Sequence, residues 1–83
     1  ALPIDGQAPE IYVSPNPTHG EITLHLPEGI KADIFLFSVD NRILLRKTTQ
    51  GATRLSLDGM PTGVYLLKLV THQGIVVKRI VKQ

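Results

Sequence analysis

Eighty-three residues admit one small domain and exclude an enzyme built from two lobes around a cleft. With 42% hydrophobic residues the chain is too apolar to stay unfolded, and nine Lys and Arg against seven Asp and Glu leave a formal charge of only +2. No run of like charges reaches four residues, so a nucleic-acid footprint has little support, and the absence of cysteine excludes disulfides, thiolate metal sites and a cysteine nucleophile.

Residues 1–10 contain Pro3, Gly6 and Pro9 with only Leu2 and Ile4 as large aliphatics, and read as a linker arriving at a domain that occupies residues 11–83. They lack the basic start and long apolar run of a secretion signal, and no stretch of the chain approaches the ~20 apolar residues of a membrane-spanning helix. The first predicted strand is 11–14, where Ile11 and Val13 flank Tyr12. It stops there because Pro15 biases its predecessor toward extended geometry and Pro17 brings no ladder donor. Pro15, Asn16, Pro17, Thr18, His19 and Gly20 form a rigid turn, with Gly20 supplying a residue that takes positive φ freely.

Residues 21–26 alternate most cleanly, with Ile22, Leu24 and Leu26 on one face and Glu21, Thr23 and His25 on the other. Pro27, Glu28 and Gly29 turn the chain into 31–39, which carries Ala32, Ile34 and Leu36 on one face and Asp33, Phe35, Phe37 and Val39 on the other. Asp40 and Asn41 mark a tight hairpin in which Asn41 takes positive φ at little cost. The return strand, 42–48, has Ile43, Leu44 and Leu45 in a row, which leaves its facing open.

After Gln50 and Gly51, residues 52–57 offer Leu55 and Leu57 to the core. Asp58, Gly59, Met60, Pro61, Thr62 and Gly63 make a loop in which Gly59 and Gly63 turn the backbone and Met60 plugs the end of the core. In 64–71 the outward Lys68 assigns Tyr65, Leu67 and Leu69 to the inner face. His72, Gln73 and Gly74 turn into a final strand, 75–82, with two readings. Either Ile75, Val77 and Val81 face inward with Arg79 as the exception, or Val76 and Ile80 do, with Lys78 and Lys82 as exceptions; a bulge would reconcile them. Seven short strands without a helical period predict an all-β antiparallel β-sandwich, with a small, partly closed barrel as the alternative.

Chemistry-bearing residues are scattered. His19, His25 and His72 fall in a turn, on an outer strand face and in another turn, without metal-ligand spacing. Asp40 and Asp58 belong to turns, and Asp33 has no carboxylate partner for acid/base work. Ser14, Ser38 and Ser56 lack the strand-to-helix setting of an activated nucleophile, and Gly59 and Gly63 are not followed by the Lys-Ser or Lys-Thr of a phosphate loop. The reading is therefore of a non-enzyme, with no metal and no cofactor. Tyr12, Phe35, Phe37 and Tyr65 could offer a stacking platform, but at this charge core and turn packing is the favoured use. What remains is the terminal strand. As a sheet edge it would accept strand addition with basic side chains fixing register; as an internal strand it would use Lys78 and Lys82 for solubility.

Four segments carry a resemblance. They are Ile11-Tyr12-Val13-Ser14-Pro15-Asn16-Pro17-Thr18-His19-Gly20, the central Leu36-Phe37-Ser38-Val39-Asp40-Asn41-Arg42, the run from Leu57 through Gly59, Gly63, Val64 and Tyr65 to Leu69, and the ending Lys78-Arg79-Ile80-Val81-Lys82-Gln83. Together they resemble the C-terminal sorting domain, type A, of proteins exported by the Bacteroidetes type IX secretion system, the Por system. The resemblance implies an immunoglobulin-like sandwich of about seven strands appended to an upstream cargo domain and carrying no catalysis of its own. It implies an export address read by the outer-membrane translocon and a shuttle protein, with transit through the periplasm. Cleavage by a cell-surface sortase and attachment at the outer-membrane surface, or release, would follow.

By position, Lys78, Arg79, Ile80, Val81 and Lys82 are the implied recognition element. Pro15, Asn16, Pro17, Gly20, Gly59, Gly63 and Tyr65 are the structural motif, and residues 1–10 hold or adjoin the processing point. The chain departs from the family pattern at the central hairpin, where Ser38 and Asn41 stand in place of an Asp or Asn followed by Gly. Removing residues 80–83 is expected to abolish export while leaving most of the sandwich folded. Two other functions compete: a glycan-binding or adhesive module using Tyr12 with Phe37, and a structural spacer.

Overall fold

The computed structural model describes residues 11–83. The predicted linker, residues 1–10, lies outside the described residues.

Seven strands follow in order: β1 (Tyr12–Ser14), β2 (Glu21–His25), β3 (Lys31–Phe37), β4 (Ile43–Gln50), β5 (Thr53–Ser56), β6 (Gly63–Thr71) and β7 (Gly74–Lys82). They form two antiparallel sheets, a three-stranded one ordered β1-β2-β5 and a four-stranded one ordered β4-β3-β6-β7. The chain crosses between sheets after β2, β4 and β5, which is the wiring of an immunoglobulin-like sandwich rather than a closed barrel.

Alternation decides which faces meet. Ile22 and Leu24 from β2, with Leu55 from β5, face Ala32, Ile34 and Leu36 of β3 and Tyr65, Leu67 and Leu69 of β6 across an aliphatic core. Ile11, Leu26, Leu57 and Ile80 complete it, and Met60 packs against its end as expected of the loop that carries it. Tyr65 is buried, and its hydroxyl donates to the Pro61 carbonyl four residues upstream, the arrangement that ties the start of such a strand to the preceding corner.

The run Ile43-Leu44-Leu45 resolves as a bulge: Leu36 faces Leu45 and Phe37 faces Ile43, leaving Leu44 as the extra residue. Leu45 packs on the core while Ile43 and Leu44 stay exposed. The hairpin closes as predicted with Asn41 at φ 68°. Gly59 and Gly63 take φ of 85° and 153°. Gly20 does not take positive φ; a side chain there would collide with the Asp58 carboxylate, so close approach and not handedness fixes this glycine.

The last strand follows the second of its two readings. β7 pairs with β6 in unbroken register from Thr71 opposite Gly74 to Gly63 opposite Lys82, with no bulge. Its inner face carries Val76, Lys78, Ile80 and Lys82, and its outer face Ile75, Val77, Arg79 and Val81.

Candidate functional site

β7 is an edge strand, one of the two readings its sequence leaves open, but only part of that edge is open. Adjacent residues of an antiparallel strand alternate, one bonding the neighbour and the next pointing its N–H and C=O away. On β7 the even-numbered residues bond β6, because the outward bonds come from odd ones. The Asn16 side chain donates Nδ2–H to the Arg79 carbonyl at 2.8 Å and accepts the Val81 N–H on its Oδ1 at 3.0 Å. Thr18 continues the seal: its N–H donates to the Val81 carbonyl at 2.8 Å, and its carbonyl accepts the Gln83 N–H at 2.8 Å. Thr18 and Lys82 thus form a parallel bridge.

The turn between β1 and β2 is built to hold that pairing. Both prolyl bonds, Ser14–Pro15 and Asn16–Pro17, are cis, and the Asn16 between them lies beside β7. Thr18 is almost wholly buried; its hydroxyl donates to the Glu21 carbonyl at 2.8 Å and accepts the Gly20 N–H at 3.1 Å, closing a small hydroxyl-centred turn. The Gly20 carbonyl in turn accepts the Leu57 N–H. The turn from Pro15 to Gly20, one part of the expected structural motif, latches the terminal strand through Asn16 and Thr18.

The five residues expected to form the recognition element divide by facing. Ile80 is fully buried in the core. Lys82 turns inward at 9% exposure, and its ammonium donates to the Leu57 carbonyl at 2.8 Å and the Met60 carbonyl at 2.6 Å. These two tie the end of β7 to the core and to the loop after β5, where the ammonium joins the Met60 N–H on the Leu57 carbonyl and also reaches the Met60 carbonyl. Arg79 is exposed, while Lys78 and Val81 are half-buried. Removing residues 80–83 would therefore strip out a core side chain, the buried ammonium and the Thr18 pairing together, so the expectation that the sandwich survives that truncation is corrected.

Beside the open stretch of β7 lies the outer face of the four-stranded sheet. Register sets Arg46, Phe35, Lys68 and Val77 in one cross-strand row, and Phe37, Leu66 and Arg79 in the next. Phe35 and Phe37 rings lie 6.4 Å apart, and the Arg46 guanidinium sits 5.6 Å from the Phe35 centroid. Asp33, at the end of the face, accepts the Thr48 hydroxyl at 2.9 Å.

The aromatic pair postulated for glycan binding does not form. Tyr12 lies on the outer face of the three-stranded sheet and Phe37 on that of the other, and Tyr65 is in the core. The histidines stay apart; His25 Nε2 lies 2.8 Å from Ser14 Oγ, and no group of three metal-ligating side chains occurs among the described residues. Ser38 meets Asp40 within the hairpin loop and Ser56 accepts the Asp58 N–H, so both serines stabilise turns.

A family model described as a secretion system C-terminal sorting domain matches residues 10–83. The chain belongs to this family. None of the curated proteins compared with it matches. The sorting domain is thus an export signal of type IX secretion, and its fold presents an all-β sandwich whose terminal strand is half latched and half open.

Proposed function

We propose that this sorting domain carries an upstream cargo from the periplasm across the outer membrane by presenting β7 to the translocon and a shuttle protein, without catalysis of its own. A cell-surface sortase then cuts at or near residues 1–10, leaving the cargo at the surface or released. The observation that carries the reading is the position of β7: it is a sheet edge whose outer-face side chains, Ile75, Val77 and Arg79, are exposed. Of the implied recognition residues, Arg79, Lys78 and Val81 are the ones a partner reaches, while Ile80 and Lys82 shape the surface from beneath.

The test is a secreted reporter fused ahead of residue 1 in a host with a type IX system. Arg79→Glu reverses an exposed charge without touching the core, so the melting temperature is expected to stay within a few degrees. Surface delivery is expected to fall by about tenfold, the factor that about 1.4 kcal/mol of lost recognition produces. Substituting residues 1–10 with a Gly-Ser segment is expected to leave delivery intact and abolish processing. Normal delivery of Arg79→Glu together with normal delivery of a variant altered at Lys78 and Val81 would overturn the reading.

A further inference from the structure

The terminal strand has backbone groups that the described residues leave unpaired. By the alternation that sends the Arg79 carbonyl and the Val81 N–H to Asn16, the outward groups upstream are the N–H and C=O of Ile75 and Val77 and the N–H of Arg79. None of them has a partner among the described residues. The latch thus stops short, and an open edge runs from Ile75 to the N–H of Arg79. It is flanked by two apolar side chains, Ile75 and Val77, each 58% exposed. An edge that is long, apolar and unprotected invites pairing, and natural sheets ordinarily blunt it. Here Asn16 and Thr18 blunt one half only.

Resting on the reading that β7 is what the export machinery grasps, we propose that residues 75–79 receive a short extended segment of the partner protein, which adds to the four-stranded sheet as a fifth strand beside β7. The occupant's chemistry follows from the face it would continue. Arg46, Lys68 and Arg79 project from that face, whereas Asp33, its one carboxylate on β3, lies at the far end and is engaged by Thr48. Arg79 has no carboxylate partner among the described residues. The segment is therefore apolar opposite Ile75 and Val77 and carries Asp or Glu beside Arg79. Asn16 fixes its length, because a strand continuing past Arg79 would meet the amide already bonded to the Arg79 carbonyl. Backbone pairing supplies affinity and the arginine supplies register.

Two experiments test this. Val77→Pro deletes an N–H that points away from β6, a position where an edge strand tolerates proline, whereas Val77→Thr changes the side chain and keeps the N–H. In the reporter fusion Val77→Pro is expected to melt within a few degrees of the parent and to lose delivery by about tenfold, with Val77→Thr within about twofold of the parent. A folded Val77→Pro domain delivered normally overturns strand addition. If Arg79→Glu is then still defective, β7 is read by side chains alone and the parent reading stands; if it and the variant altered at Lys78 and Val81 are also delivered normally, both fall.

The second experiment uses the unaltered 83-residue chain, so it holds whether or not the proline variant folds. A capped five-residue peptide with glutamate first, valine third and fifth and threonine between them, which puts the acid and both apolar side chains on one face, is titrated while backbone amides are followed by NMR. The Ile75, Val77 and Arg79 amides are expected to shift and gain exchange protection, with the same peptide carrying lysine in place of glutamate about tenfold weaker. Equal response to both peptides, or shifts confined to other strands, would refute the assignment.

Discussion

Ile80→Ala is expected to destabilise the domain by about 3 kcal/mol, within the range for emptying a buried isoleucine site. Ile80 is wholly buried opposite Tyr65, on the edge strand, where few neighbours can close over the space left behind. For a domain of this size the melting temperature should drop by about 12–24 °C, which removes much of a stability that is about 5 kcal/mol at the low end for small domains. Chemical denaturation of the 83-residue chain checks the value. A loss under about 1 kcal/mol would mean that the end of β7 is not packed as described. The consequence for function is direct: an export defect in any variant of Ile80 reports on folding before it reports on recognition.

Lys82→Met is expected to cost about 2–3 kcal/mol, although a methionine preserves most of the apolar stem. What it removes is an ammonium donating to two loop carbonyls, those of Leu57 and Met60, from a largely buried position. Hydrogen bonds to a charged group are the stronger class, and loss of the donor leaves partly buried carbonyls without it. Thermal melts of Lys82→Met and Lys82→Ala separate the two contributions. The alanine variant should be lower by the stem's packing, and a methionine variant as stable as the parent would show that the ammonium bonds contribute nothing. Lys82 and Ile80 lie on one strand face two residues apart, so a double variant should not be additive.

The fold was readable wherever one face of a strand was plainly apolar. Ile22 and Leu24, then Ala32, Ile34 and Leu36, then Tyr65, Leu67 and Leu69 alternate without exception, and each set lies in the core. Alternation failed where lysines occupy the inner face. On β7, Lys78 and Lys82 alternate with Val76 and Ile80, because at the rim of a small sandwich a long side chain leads its charge out of the core to solvent or to loop carbonyls. A pattern rule treats those lysines as outward. The run Ile43-Leu44-Leu45 was ambiguous for a different reason, since a bulge breaks the period that the rule relies on.

The candidate site was only half readable. Its placement on the last strand followed from apolar residues interleaved with basic ones, but its division into a latched and an open half depends on Asn16, which bonds a carbonyl 63 residues away. No local signal reports a contact of that span. Thr18 carries a local signal, a hydroxyl residue two positions ahead of a glycine in a proline-framed turn. At Gly20 the requirement for glycine is tertiary, the close approach of the Asp58 carboxylate, whereas the sequence alone suggests positive φ.

The division of the terminal strand has a mechanical sense for an export signal. The half bearing Ile80 and Lys82 anchors the strand to the core and to the loop carbonyls. The half bearing Ile75 and Val77 contributes little to the core, since those side chains project to the outer face, so engaging it does not disturb folding. Latch and open edge on one strand allow a stable domain to offer backbone to a partner.

Amide hydrogen exchange of the 83-residue chain, read residue by residue along β7, tests this division most directly. Val76, Lys78 and Ile80 should exchange slowly through their bonds to β6, Val81 and Gln83 should be slowed by Asn16 and Thr18, and Ile75, Val77 and Arg79 should exchange fast. Protection of Ile75 and Val77 equal to that of Val81 in the isolated domain would contradict the account, because the edge would then already be occupied.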